Sequence, residues 1–202
     1  LATKSFFYFC QDMLRRFAED ERVTQVSGMN FQDGWIRDPD FDLYFSEAGP
    51  TWGWATWRRA WQLFDYHIPD FEQHVAKGYL KDFFWNNDST PWVLRQLGQT
   101  FRDEPGADWW DYQWLYAQYM QHGLAAVPNV NLAANIGFDA NATHTTAGDS
   151  RFENKPTGEL RFPLRVPPFV LPDRVADQRY FKRYHEAHTL RRIKNRVKGM
   201  VG

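Results

Sequence analysis

The stretch Asp108-Trp109-Trp110-Asp111-Tyr112-Gln113-Trp114 sets two carboxylates three residues apart among three tryptophans. It opens a run that reads as helix through Gln121. Residues three apart share a helix face, so Asp108 and Asp111 point the same way. An acid framed by indole rings has a chemical use: indole faces stack on sugar rings or bases, and partial desolvation raises a carboxylate's proton affinity. The same residues also have a structural use. Acids in a helix's first turn complement its dipole and supply N-caps, and tryptophans at helical spacing commonly face a core.

Working outward, Ser89-Thr90-Pro91 upstream is a helix start, a hydroxyl cap with proline in the first turn. Val93, Leu94, Leu97 and Phe101 fall on its inner side, and Pro105-Gly106 breaks it before Asp108. Downstream, Gly123 ends the Asp111 helix, and Leu124 to Val127 reads as a short buried strand before Pro128. Farther upstream, Trp54, Trp57 and Trp61 recur at helical spacing and predict a helix entered through the Gly49-Pro50 turn. Trp57 and Trp61 suit a core. Trp52 and Trp54 flank Gly53, where backbone can approach a ligand closely, and are the cleft candidates. A further helix is expected from about Asp70 to Phe84.

At the start of the chain, Ser5 is the expected N-cap of a helix reaching about Ala18, with Phe6, Phe9, Cys10, Met13, Leu14 and Phe17 on one side. Val23 to Gly28 reads as a strand, and residues 31–50, rich in Asp with Gly and Pro, as a long loop. Past Pro128, Asn129 to Phe138 leads into Asp139 to Thr146, whose small polar residues and His144 suit a loop offering amides and hydroxyls to an anion. An ordinary solvated turn has the same composition. Residues 150–174 are proline-punctuated and irregular and read as an arm wrapped over the surface. Arg179 to Lys198 carries eight Lys and Arg against one acid, Glu186, which suits either an anionic membrane surface or a solvated helix.

The 202 residues are enough for one domain with a proper core, and a net charge of −1 gives no global pull toward nucleic acid. A single cysteine, Cys10, excludes an internal disulfide and a cysteine-based zinc site and points to a reducing compartment. The expected location is cytoplasmic, with peripheral contact at the inner face of the membrane through 179–198. Aromatic residues are 18% of the chain, with ten tryptophans. That many indoles are hard to bury fully in a domain of this size, so some are expected to line a cleft.

Read together, Trp52-Gly53-Trp54-Ala55-Thr56-Trp57-Arg58 and Trp110-Asp111-Tyr112-Gln113-Trp114 resemble segments of a bacterial group close to glycosyltransferase family 2. The chain resembles the C-terminal half of a GT-A glycosyltransferase domain over about residues 1–147. Its motif order is similar to that of N-acetylglucosaminyltransferase I. There an acidic metal-binding triplet precedes a Phe-Phe helix, matched by Phe6-Phe7, and a strand ending in Ser with a nearby Asn, matched by Ser27 and Asn30. A Gly-Trp turn follows, matched by Gly53-Trp54, and then a Trp-Asp helix start, matched by Trp110-Asp111. The last loop is matched only loosely, by Gly137-Phe138 and Thr143-His144.

The resemblance implies an α/β fold, with 1–149 the acceptor-side part of a GT-A domain and 150–202 an arm and basic helix. It implies inverting transfer of a sugar from a nucleotide-sugar donor to a carbohydrate acceptor, with Asp111 as base. Asn30, Gly53, Trp54, Trp110 and His144 are the implied substrate-binding residues. A divalent metal, Mn²⁺ or Mg²⁺, would have its main ligands upstream of Leu1 together with the nucleotide-binding half, with ligation by His144 open. The chain starts at Leu1 rather than methionine, which fits a fragment inactive by itself. The alternative is a non-catalytic module presenting an aromatic platform to carbohydrate.

Overall fold

A computed structural model describes residues 1–81, 90–102, 109–136 and 155–186. Its architecture is mixed α/β, with helices packed around a four-stranded mixed sheet. The strands are β1 (Val23–Ser27), β2 (Leu43–Ser46), β3 (Trp54–Ala55) and β4 (Leu124–Pro128), in spatial order β2-β4-β1-β3. β1 and β4 run parallel, with Val26 opposite Ala126, and the two outer strands are antiparallel to their neighbours. Every residue of β1 and β4 is buried, as expected for a parallel pair covered on both faces.

One face is covered by α1 (Lys4–Arg16), whose Phe9 and Met13 meet Val23, Val26, Phe45 and Ala126. Ser5 lies inside α1 rather than capping it. Thr3 occupies the cap without a side-chain bond, while the Ser5 hydroxyl bonds Glu159 and accepts from the Leu160 amide. The same core receives Leu160, Leu164, Val166 and Val170 from the irregular segment 155–173. That segment leads into α6 (Arg174–Phe181) and a π-helical turn (Lys182–Glu186). Asp173 caps α6 by accepting from the Val175 and Ala176 amides.

The other face carries α5 (Trp110–Met120). A register irregularity between Val23 and Gln25 lets two successive side chains of β1 reach it. Trp114 Nε1 donates to Gln25 Oε1 at 2.8 Å, and Gln118 Nε2 donates to Thr24 Oγ1 at 2.9 Å. Because the later α5 residue meets the earlier β1 residue, α5 runs antiparallel to β1. Its N-terminus therefore lies over the carboxyl ends of β1 and β4. Away from the sheet, Tyr116, with Tyr112 and Leu115 beside it, packs on α3 (Phe71–Lys77) and α4 (Thr90–Phe101) through Phe71, Val93 and Leu97.

Three further expectations differ from the structure. Trp54 lies in β3, pairing with Ser27, and only Arg58–Trp61 (α2) is helical, so the indole spacing there is not one helix face. The expected loop 31–50 contains β2, and Phe45 in it is fully buried. α3 stops at Lys77 because Gly78 takes a left-handed conformation, φ 77°, and caps it. The strands Val23–Ser27 and Leu124–Pro128 and the helix through Met120 stand where the residues placed them, and 155–173 is irregular as expected but packs into the core rather than lying over the surface.

Candidate functional site

Four segments meet at the carboxyl ends of the parallel pair, the place where open α/β sheets commonly bind ligands. They are the loop after β1, the turn 49–53, the start of α5 and, from the arm, α6. The turn is pinned by β1: the Gly28 amide donates to the Gly53 carbonyl at 2.8 Å, and Gln25 and Ser27 side chains both donate to the Pro50 carbonyl. Gly53 holds φ 72°, and a Cβ there would lie 2.8 Å from Ala133 Cβ. Its glycine character thus serves the close packing of the turn.

The pinned turn delivers Trp54 against the start of α5. Its ring stacks on Trp110 with centroids 5.5 Å apart and planes 27° apart. Trp114 and Trp61 close around it at 5.6 and 5.9 Å, and Trp61 stacks on Phe64 at 4.5 Å. Trp114 is the buried member of this set, while Trp61 and Trp110 are 41% and 39% exposed. Trp57, expected in the core, packs against it and donates to the Leu14 carbonyl. Trp61, also expected there, presents a surface.

Asp111 sits half-buried in the first turn of α5, beside Trp110. Its charge is felt by two phenols. Burial chiefly, and then the Asp111 carboxylate, raises the proton affinity of Tyr112 and of Tyr180. Tyr180 belongs to α6 and stacks on Phe31 of the β1 loop at 5.4 Å; Phe31 in turn meets Trp52 edge-on at 6.3 Å. The arm thereby contributes an aromatic wall to the Asp111 side.

One helical turn from Tyr180 lies a second acid, Asp177, which is 4% exposed. Burial pushes its carboxyl up to about 7, against the lowering effect of the Ser46 hydroxyl (2.5 Å) and the Glu47 amide (3.1 Å). The nearby charges of Glu47 and Asp173 push the same way as burial.

Asn30 is 4% exposed and braces the loop rather than facing outward. Its Nδ2 donates to the Pro128 carbonyl at 2.7 Å, its Oδ1 accepts from the Gln32 amide, and its own amide donates to Asn131. Of the expected site residues, the structure stacks Trp54 on Trp110 and sets Asp111 beside Trp110 in the first turn of α5. It puts Asn30 and Gly53 in the supporting layer. His144, Gly137-Phe138, Asp108 and most of the basic segment 179–198 lie outside the described residues.

Sequence reasoning missed Tyr180, Asp177 and Gln25. A buried Asp on a short helix and a Gln within a strand were the available signals. Among the described residues no group of three His, Cys, Asp or Glu side chains comes together as a metal site. A separate groove along the outer face of α1, lined by Phe7, Tyr8, Gln11 and Leu14, holds none of these residues. No known protein family matches the chain, and neither a curated protein nor a solved structure shows significant similarity to it.

Proposed function

We propose that this chain is the acceptor-side half of an inverting, GT-A-type glycosyltransferase domain, acting with a nucleotide-binding half upstream of Leu1. The observation that carries the reading is the stack of Trp110 on Trp54 at the carboxyl ends of β1 and β4, with Asp111 next to Trp110 in the first turn of α5. A sugar's apolar face rests on indole, and the adjacent carboxylate takes the proton of the attacking hydroxyl. The acceptor oxygen then bonds the donor's anomeric carbon while the nucleoside diphosphate leaves from the opposite side, inverting that centre. A divalent metal, Mn²⁺ or Mg²⁺, would neutralise the leaving diphosphate, with its main ligands upstream of this chain.

Asp111→Asn in a protein carrying both halves tests the assignment. Asn keeps the size and one accepting oxygen but cannot take the proton. Turnover should fall roughly a hundred- to ten-thousand-fold with donor binding little changed. Near-normal turnover in a folded variant removes Asp111 from the role. On the same reading the 202 residues alone should bind UDP- and GDP-sugars with Mn²⁺ poorly, as calorimetry would measure. Micromolar binding would put the nucleotide site in this half.

The exposure of Trp61 and Trp110 also favours a second reading, an aromatic carbohydrate-binding platform without catalysis. A protein with both halves that retains glycans and transfers no sugar from any nucleotide donor would decide for it.

A further inference from the structure

The outward face of α6 is one-signed. Among the described side chains, the exposed positions of α6 and the turn after it are Arg174, Val175, Gln178, Arg179, Lys182 and Arg183, four cations and no acid. Immediately ahead of the helix, Phe169 and Leu171 are 48% and 64% exposed, and Val175 on its first turn is 41% exposed. A second segment joins them. Arg37 bonds Asp173 at the helix start, 2.8 Å, and Trp35 lies under the Arg179 guanidinium, 4.5 Å. Between these two grips Ile36 stands 42% exposed alongside the helix.

Acids bordering the face are engaged. Asp173 caps α6 and holds Arg37, and Asp33 holds Lys155, Tyr184 and Arg183. Asp177 points inward to Ser46. The charges of Asp38 and Asp40 act on Arg165.

Protruding apolar side chains ringed by Lys and Arg are the surface that settles into the headgroup region of a negatively charged bilayer. A nucleic-acid backbone would use the cations and leave Phe169, Leu171 and Val175 in water. We propose that this face of α6, with Phe169 and Leu171 ahead of it and Ile36 beside it, docks the protein on an anionic lipid bilayer. The surface is independent of the sugar-transfer reading.

Vesicle sedimentation of the full 202-residue chain tests it. The protein should pellet with phosphatidylcholine vesicles containing phosphatidylglycerol, far less with phosphatidylcholine alone, and less as salt rises. Phe169→Ser with Leu171→Ser should lower partitioning about tenfold or more without changing the circular dichroism. Arg174→Gln with Lys182→Gln, which leaves the Arg179–Trp35 stack in place, should lower it about tenfold and reduce the preference for anionic lipid. Equal partitioning to both vesicles overturns the proposal. So does binding unchanged in both double variants, which would transfer the attraction to sequence beyond Glu186. Capture by duplex DNA that needs the cations but not Phe169 and Leu171 would identify a nucleic-acid surface instead.

Discussion

At the scale of single residues, the acid of α6 is governed by its burial. Asp177 is buried, and its carboxyl stays protonated to about pH 7 in the folded chain, against about 4 when unfolded. Between those values the folded state binds more protons than the unfolded one, so stability is lost as pH rises from about 4 to about 7. Asp177→Asn should flatten that slope in thermal melts taken across the window; an unchanged slope would place its source elsewhere. Gly53 offers a second test. Alanine there must adopt φ 72° and crowd Ala133, at a cost of about 2 kcal/mol, a fall of several degrees in Tm. The motif around Asp111 was legible because its residue types are local and dense. Tyr180 and Asp177 were not, since only tertiary packing carries Tyr180 across about seventy positions to the Asp111 side and Asp177 across 131 to Ser46 of β2.

At the scale of elements, the joints rest on polar side chains that hydrophobic periodicity does not register. Arg59 is the main example. Its guanidinium donates to the carbonyls of Phe17, Ala18, Asp20 and Val23 and lies 4.6 Å over the Trp57 ring, binding the end of α1 to α2. Lysine keeps the charge but has no planar fork to span four acceptors. Arg59→Lys should cost about 2 kcal/mol in chemical denaturation, and a variant as stable as the parent would show those bonds to be replaceable by water. β4 was legible because it is apolar between Gly123 and Pro128, β1 because its β-branched residues run into Gly28, and α5 because its aromatic run ends at Gly123. β2 was hidden because four residues after an Asp-rich stretch are too few to show a period. Trp54 misled because indoles three and four apart suit a helix and, equally, a strand followed by one helical turn.

At the scale of the whole molecule, the segment 155–186 is part of the core rather than an accessory to it. Leu160, Leu164, Val166 and Val170 pack on α1 and the sheet, Phe181 is buried, and Asp177 binds β2. Burial of such side chains is worth about 1.5–3 kcal/mol each when complete, and a domain's net stability is about 5–15 kcal/mol. A chain ending at residue 150 should therefore lose its cooperative melt and bind a hydrophobic dye; a sharp transition would show that the first 150 residues fold alone. No helix among the described residues is long and apolar enough to cross a membrane. The parallel pairing of β1 with β4 carries a further consequence, one of time. Val23 finds its partner Leu124 about a hundred residues later, and β1 is buried on every residue once it does. At a synthesis rate of about 5–20 residues per second, β1 and the apolar side of α1 wait on the order of 5–20 s before their neighbour strand exists. During that interval the nascent chain presents an unpaired strand edge, and a chaperone that occupies it would decide how much of the protein survives to fold.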